Sequence, residues 1–390
     1  MSKQSFRALG VSPNLADALA ARSIEQPFKI QSIALPDALA GLDVLAKSPT
    51  GSGKTLVFAI PIVQRTAATD PRPSALVLVP TRELAAQVTE ELAAIARARS
   101  LHVVSVYGGV PLKRQAAEAA RAHILVATPG RLEDLARRRL VDLSRIRILV
   151  LDEADRMLDL GFKPQVDRLV RRIPRNRQTM FFSATLDGEV GELAKAYTSS
   201  PSRFEADGPS DAEGAKTEHR YVAVSPHSKV ETLVEHLSAL EGLTLVFVRT
   251  KRGADRLAER LARHGVKSEA LHGDLSQRAR QRALERFETG SVRVLVATDV
   301  AARGLDIQGI EHVINFDPPD EDKGYLHRTG RTGRAGRSGV ATTFVLPEQQ
   351  TETSRAARRL GYREQFEKAG MASAPARLVY TSRRGRRSKW

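Results

Sequence analysis

Cysteine is absent from this sequence of 390 residues, which excludes disulfide bonds and thiolate zinc sites. The nine histidines show no metal-ligand spacing, so any metal must be held by oxygen atoms. No apolar run approaches the roughly 18 residues that a membrane-spanning helix needs, and the first ten residues, MSKQSFRALG, lack the apolar core of a signal peptide. We therefore expect a soluble, cytoplasmic protein with no membrane partner.

Acidic residues are the minority among the charged ones. Lys and Arg number 61 against 45 Asp and Glu, giving a formal net charge of +16 and a sequence pI near 10.4. Such an excess of positive charge favours a polyanionic partner, and nucleic acid is the first candidate. Charge alone leaves open a basic soluble enzyme with no nucleic-acid substrate, so the motifs have to decide.

Apolar runs alternate with helical patterns along most of the chain. The predicted strands of the first series are residues 75–79, 103–107, 124–127, 148–151 and 180–182, and those of the second are 221–224, 243–248, 268–271, 292–297, 312–315 and 341–346. Continuous apolar strands between helices predict parallel sheets covered on both faces. At roughly 100 to 200 residues per domain, the length fits an α/β protein with two domains in tandem.

The two series are separated by residues 205–216, which are rich in Gly, Pro, Ser, Asp and Glu and lack an apolar period. That composition is typical of a flexible linker. We predict a helical lead-in at 1–22, a first domain at 23–204, the linker at 205–216 and a second domain at 217–350. Residues 351–390 are predicted to form a C-terminal helix, 351–367, followed by a basic tail.

One segment, residues 43–55, reads as strand, loop and helix: DVLAKSPTGSGKT. The loop ends in Gly51, Ser52, Gly53, Lys54 and Thr55. Glycines let backbone N–H groups approach an anion, Lys54 can reach the β- and γ-phosphates, and the Thr55 hydroxyl can hold Mg²⁺. The helix N-terminus behind the loop adds a positive end. The strict motif has a Gly where this chain has Ser48, so a chance Gly/Ser turn stays open on this segment alone.

An acidic segment, Asp152-Glu153-Ala154-Asp155, follows the apolar run 148–151. Ligands bind beyond the carboxyl ends of strands in open α/β sheets, so these carboxylates are well placed for chemistry. Asp152 can hold the Mg²⁺ that bridges the phosphates, and Glu153 can orient and deprotonate the attacking water. Acidic residues at strand ends also form turns, but together with the phosphate loop they predict a P-loop NTPase.

Further short motifs surround these two in a definite order. They are residues 23–31 with Phe6 upstream, Pro80-Thr81-Arg82-Glu83-Leu84-Ala85, Gly108-Gly109, Thr128-Pro129-Gly130-Arg131, Ser183-Ala184-Thr185, Val246-Phe247-Val248, His272-Gly273-Asp274, Ala297-Thr298-Asp299, Ala302-Arg303-Gly304-Leu305-Asp306 and His327-Arg328-Thr329-Gly330-Arg331-Thr332-Gly333-Arg334. The order resembles that of the DEAD-box RNA helicases of helicase superfamily 2, over almost the whole chain. The resemblance implies two RecA-like domains, an RNA-stimulated ATPase, and ATP with Mg²⁺ as cofactors.

The resemblance also implies a nucleotide site. Gln31 carries a donor and an acceptor and can pair with the adenine edge in a way that guanine would not satisfy. The other implied nucleotide contacts are Phe6, the loop residues Gly51 to Thr55, Gly304 and Asp306, of which Asp306 resembles the residue that reaches the ribose. The implied catalytic residues are Lys54, Asp152, Glu153, His327, Arg331 and Arg334, and the two arginines resemble those that stabilise charge on the transferring phosphate.

An RNA track is implied as well, formed by Thr81, Arg82, Gly109, Thr128, Arg131, Gly273 and Thr298. Small polar groups, backbone N–H and Arg suit contacts to phosphates and 2′-hydroxyls, so binding to single strands and short duplexes should be largely independent of sequence. Asp155, Ser183 and Thr185 resemble the residues that couple the two ligands. A DNA helicase of the same superfamily and an ATP-gated RNA clamp or annealing factor remain the alternatives.

Overall fold

The computed structural model describes residues 5–47, 53–205, 217–302, 307, 309–333 and 338–372. These residues form two compact units, which divide between residues 205 and 217. The predicted linker, apart from Glu205, and the basic tail from residue 373 onward lie outside the described residues.

A parallel sheet forms the centre of the first unit. Its strands are β1 (Val44–Lys47), β2 (Ala75–Leu78), β3 (Val103–Val106), β4 (Ile124–Ala127), β5 (Ile148–Leu151), β6 (Gln178–Ser183) and β7 (Ser202–Glu205), in the spatial order β3-β4-β2-β5-β6-β1-β7. Neighbouring strands pair in parallel throughout. Because all strands run the same way, their carboxyl ends share one edge, where ligands bind in such sheets.

Helices cover both faces of this sheet, as its continuous apolar strands require. They are α1 (Pro13–Ala20), α2 (Lys29–Ala40), α3 (Lys54–Arg65), α4 (Arg82–Ala96), α5 (Leu112–Ala119), α6 (Pro129–Arg137), α7 (Ala154–Asp159), α8 (Lys163–Val170) and α9 (Gly188–Tyr197). Alternate strand residues point to opposite faces. Val77 and Val150 therefore join the core beneath α1 to α4, whereas Leu76 and Leu149 join the core beneath α5 to α9.

The second unit repeats this plan. Its strands are β8 (Thr217–Ala223), β9 (Leu243–Val248), β10 (Ser268–Leu271), β11 (Val294–Thr298), β12 (Ile310–Asn315) and β13 (Gly339–Val345), in the order β10-β11-β9-β12-β13-β8, again all parallel. Its helices are α10 (Lys229–Ala239), α11 (Lys251–Arg263), α12 (Gln277–Glu288), α13 (Asp299–Ala302), α14 (Asp322–Thr329), α15 (Gln350–Arg359) and α16 (Arg363–Lys368). Two parallel α/β sheets confirm the predicted fold class.

Two local predictions were wrong. The single C-terminal helix predicted at 351–367 is two helices, α15 and α16, because Gly361 adopts φ +83° and ends the first one. The linker was predicted to begin at Glu205, but Glu205 is the last residue of β7 and pairs with Lys47 of β1. Sequence composition missed β7 because its side chains alternate between half-buried and exposed.

Candidate active site

The described part of the phosphate loop begins at Gly53, which precedes α3 with φ +80°, a conformation that favours glycine. Lys54 is the first residue of α3, and its Nζ lies 3.5 Å from Asp152 Oδ1 at the end of β5. Both side chains are buried. Gly51 and Ser52 lie outside the described residues. The sheet therefore brings together Lys54 and Asp152, which the sequence separates by almost a hundred positions.

Three carboxylates surround the Lys54 ammonium. Burial alone would lower the pKa of Lys54, but the charges of Asp152, Glu153 and Asp155 raise it above its ordinary value, so the side chain stays protonated. Burial raises the pKa of Asp152, and the neighbouring Glu153 carboxylate adds to that effect, while Lys54 opposes it. The site thus carries more negative charge than Lys54 neutralises.

This donor set fits a magnesium ion. Asp152 offers a buried carboxylate beside a second acidic group, and Mg²⁺ prefers oxygen ligands and typically binds one or two carboxylates plus phosphate oxygens. Thr55, the second residue of α3, adds a hydroxyl on the same helix as Lys54. A cation here would compensate the negative charge of the three carboxylates that Lys54 and the neighbouring Arg156 leave unbalanced.

Glu153 lies between β5 and α7 with φ +51°, which is unusual for a residue with a side chain. Its Oε2 accepts a 2.6 Å hydrogen bond from Nη1 of Arg156, one turn along α7, and both side chains are buried. Arg156 was not among the predicted site residues. The sequence signal for this ion pair was the position of Arg156 three residues after Glu153 at the start of a helix, a spacing at which opposite charges meet.

Gln31 connects the segment 23–31 to the phosphate loop. Its Oε1 accepts a hydrogen bond from Phe28 N at 2.8 Å, and its Nε2 donates to Gly53 O at 2.7 Å. An amide has two acceptor and two donor positions, so one of each can still serve a base. Phe28 is 62% exposed beside Gly53, whereas Phe6 is 3% exposed and belongs to the apolar core beneath α1 to α4.

The predicted coupling residues of the first unit meet in space. Ser183 ends β6, and its Oγ accepts hydrogen bonds from Asp155 N at 3.3 Å and Thr185 N at 3.4 Å. Ser183 and Asp155 are buried, and Thr185 is half-buried. The acidic segment after β5 and the segment after β6 are thus joined through one hydroxyl.

The first-unit residues of the predicted RNA track follow the other half of the same sheet. Thr81 follows β2, Gly109 follows β3, and Thr128 and Arg131 follow β4. These strands occupy one side of β5, while β6 and β1 lie on its other side. The sheet order therefore separates the predicted RNA residues from the phosphate loop along one edge.

The two arginines of this track lie close to the backbone of the segment after β3. A Cβ placed on Gly109, which has φ +85°, would lie 2.5 Å from Arg82 Nη1, so only glycine lets the guanidinium approach so closely. Arg131 Nη1 donates to Val110 O at 2.8 Å and to Gln115 Oε1 at 2.6 Å. Both cations are half-buried beside backbone, a setting that suits phosphate contacts.

The second unit brings some of its predicted residues together. Gly273 follows β10 and Thr298 ends β11, and these strands are neighbours. His327 is on α14 and is half-buried, and the backbone carbonyl of His327 accepts a 3.3 Å hydrogen bond from Nε of buried Arg331. Gly304, Asp306 and Arg334 lie outside the described residues.

Comparisons with known proteins identify the family. Residues 28–193 match the DEAD/DEAH box helicase family model, and residues 228–336 match the helicase conserved C-terminal domain. The chain is 40% identical to the DEAD-box ATP-dependent RNA helicase CshA of Bacillus licheniformis over 347 residues, covering 88% of this chain and 71% of that protein. For CshA of Geobacillus kaustophilus the identity is 40% over 346 residues, covering 88% and 74%.

Solved structures agree. S. cerevisiae Dbp5 bound to RNA and ADP BeF3 superposes with a TM-score of 0.81 at 32% identity, covering 94% of each chain. A DEAD box protein from Methanococcus jannaschii has a TM-score of 0.53 at 34% identity, covering 94% of this chain and 98% of that one. This chain belongs to the DEAD-box ATP-dependent RNA helicases. Its two α/β units are RecA-like domains, each built on one of the two sheets. The helicase is an RNA-stimulated ATPase that binds RNA.

Within the described ranges, none of the helicase's helices has the length and apolar character to cross a membrane.

Arg328 is a buried residue of the helicase whose role the sequence did not reveal. Its Nε donates to Asp299 Oδ1 and its Nη2 to Asp299 Oδ2, both at 2.6 Å. Its Nη1 donates to the backbone carbonyl of Asp317, also at 2.6 Å. The guanidinium thereby ties α14 to the ends of β11 and β12. This bidentate pair holds the helix that carries His327.

Replacing Arg328 by Ala should destabilise the second unit by about 3 kcal/mol, because the arginine itself is buried and its loss leaves Asp299, Asn315 Oδ1 and the Asp317 carbonyl without their donor. Arg328→Lys should recover only part of this, since an ammonium cannot form the fork. Urea unfolding, followed as two transitions, measures the effect. The matched control is Arg359→Ala, which removes an exposed bidentate pair with Asp322 and should cost under about 1 kcal/mol. Equal costs for the two variants would contradict the structural role of Arg328.

Proposed function

We propose that this helicase separates short RNA duplexes locally. In this proposal, ATP binding closes the two RecA-like domains on one RNA strand, and hydrolysis allows release. The observation that carries it is the hydroxyl of Ser183, which joins the acidic segment at the ATP site to the segment after β6. A shift of Asp155 on ATP binding would be transmitted through this hydroxyl.

The residues of the first unit supply most of the proposed ATP chemistry. Lys54 binds the β- and γ-phosphates, and Gln31 holds the adenine with its remaining donor and acceptor while keeping its bond to Gly53. Glu153 orients the attacking water and takes its proton. Mg²⁺, held by Thr55 and Asp152, would neutralise charge on the phosphate oxygens.

The second unit completes the proposed machinery. Arg331 and Arg334 stabilise the charge that spreads over the transferring phosphate, and His327 of the same motif is a further catalytic residue. Asp306 contacts the ribose, and Gly304 is a further nucleotide contact. Gly273 and Thr298 extend the RNA track of Thr81, Arg82, Gly109, Thr128 and Arg131. We also place the helicase in the cytoplasm, where RNA, ATP and Mg²⁺ are available together.

A strand-displacement assay tests this function. The helicase should separate a duplex of about ten base pairs of RNA with ATP, and leave the matched DNA duplex paired, because the proposed track relies partly on 2′-hydroxyls. The measurement is the fraction of labelled strand released, with ADP as the control. ATP-dependent RNA binding without strand release would contradict unwinding and favour an RNA clamp. Equal release of DNA would contradict the RNA track.

A further inference from the structure

The backbone at Glu153 is held in an uncommon conformation. A φ of +51° costs of order 1 to 3 kcal/mol for a residue with a side chain, and such strain persists only where the surrounding structure imposes it. The strained residue lies directly between Asp152 at the end of β5 and the first turn of α7. The turn therefore fixes the direction in which the Glu153 side chain leaves the backbone.

A second contact fixes the carboxylate itself. Arg156 Nη1 donates to Glu153 Oε2 at 2.6 Å, and only 8% and 7% of the two side chains are exposed. A buried, charge-assisted hydrogen bond of this length holds an oxygen far more firmly than an exposed ion pair does. With Oε2 held by this bond and the start of the side chain directed by the turn, rotation of the carboxylate is restricted.

We propose that Arg156 is a positioning residue that aims the Glu153 carboxylate at the attacking water. This inference rests on the proposed role of Glu153 as the base. Proton abstraction requires the base within about 3 Å of the water, and a misplacement of about 1 Å can cost about 10²-fold in rate. Arg156 acts through Glu153 and touches neither phosphate nor water in this role.

The surrounding charges make an arginine useful at this position. Asp152, Glu153 and Asp155 lie within one short segment, and Lys54 Nζ forms an ion pair with the first of them, at 3.5 Å. Without a second cation, the Glu153 carboxylate would be repelled by that of Asp152. The planar guanidinium of Arg156 supplies the charge and, through Nη1, a hydrogen bond of fixed direction, whereas the flexible ammonium of a lysine would supply only the charge.

Arg156→Ala should lower kcat for RNA-stimulated ATP hydrolysis about 10- to 100-fold, with KM for ATP and the affinity for single-stranded RNA changed less than about threefold. Arg156→Lys should restore part of kcat. The control is Arg168→Ala, which removes the more exposed ion pair between Arg168 and Glu133 in the first unit. This variant should leave turnover unchanged. Thermal unfolding and fluorescent-ADP binding are measured on every variant.

A double-mutant cycle with Glu153→Gln shows whether Arg156 works through Glu153. In the Glu153→Gln background, Arg156→Ala should change the residual rate by less than about twofold, since there is no base left to aim. Two outcomes would make Arg156 a structural residue and overturn the inference. One is a further 10-fold loss of the residual rate in the Glu153→Gln background. The other is a fall in kcat that accompanies a lower unfolding temperature and is fully rescued by Arg156→Lys. If Arg156→Ala does not fold, the same cycle with Arg156→Lys decides.

The other outcomes are separable. Higher RNA-independent hydrolysis in Arg156→Ala would mean that the guanidinium restrains Glu153, which also overturns positioning. If Glu153→Gln collapses turnover while Arg156→Ala and Arg156→Lys behave like the parent, the inference fails and the proposed base stands. If Glu153→Gln turns over normally, the base assignment fails and the inference falls with it.

Discussion

Arg331→Ala is expected to reduce RNA-stimulated ATP hydrolysis about 10³- to 10⁵-fold while nucleotide affinity without RNA stays within a few-fold. The reason is the division of the chain. Lys54 and the carboxylate of Asp152 belong to the first unit, so they bind nucleotide without Arg331, which belongs to the second. In our proposal Arg331 stabilises only the charge that develops as the phosphate transfers, and such an interaction affects kcat and not binding.

Controls separate this effect from folding, because Arg331 is buried and hydrogen-bonded to His327 O. Arg331→Lys should recover little activity, since a point charge cannot reproduce the planar fork. Arg260→Ala, an exposed arginine of the same unit, should behave like the parent. Steady-state hydrolysis with saturating RNA measures kcat, and titration with fluorescent ADP in the absence of RNA measures nucleotide affinity. A matching loss of RNA-free nucleotide affinity would contradict a role confined to the transition state.

Sequence patterns predicted the main elements of both sheets because buried parallel strands leave an unmistakable signal. The run 148–151 is apolar at every position, and the structure buries all of it as β5. β7 was missed because it is a half-buried edge strand with no such run. The break between α15 and α16 was missed because Gly361 near a helix end is a weak signal unless its φ is known.

Proximity across the sheet could be predicted, but side-chain pairing could not. The sequence assigned Lys54 to the phosphates and Asp152 to their Mg²⁺, both at the carboxyl ends of parallel strands, and in the structure the two side chains lie 3.5 Å apart. The same reasoning gives no rotamers. Two hydrogen bonds depend on packing between elements that are remote in sequence: Gln31 to Gly53 and Arg328 to Asp299. A third, Arg156 to Glu153, depends on the side-chain rotamers within one helical turn.

The charge excess was informative about the partner but not about the site. The formal net charge of +16 indicated a polyanion, and the helicase binds RNA. At the proposed ATP site the local balance is the reverse, because Asp152, Glu153 and Asp155 outnumber the neighbouring cations Lys54 and Arg156. A composition averages over such clusters, so the motif and not the net charge points to the carboxylates that we propose as catalytic.

Glu153→Gln should lower RNA-stimulated hydrolysis by about 10² or more and preserve ATP-dependent RNA binding. The substitution keeps the length of the side chain, and the amide oxygen can still accept the hydrogen bond from Arg156, so the backbone turn and its neighbours are expected to stay in place. What is lost is the ability to take a proton from the attacking water. The ATP-bound, RNA-clamped form should therefore accumulate.

Two measurements on Glu153→Gln decide between a base and a binding group: single-turnover hydrolysis, and retention of labelled RNA with ATP. Glu133→Gln is the matched control, because Glu133 also accepts a hydrogen bond from an arginine, Arg168, but lies on α6. It should hydrolyse ATP at the parent rate. Near-normal turnover in Glu153→Gln would remove Glu153 from the role of base. Loss of ATP-dependent RNA retention together with hydrolysis would instead assign its charge to ligand binding, since a base that acts only in the chemical step leaves the preceding bound state intact.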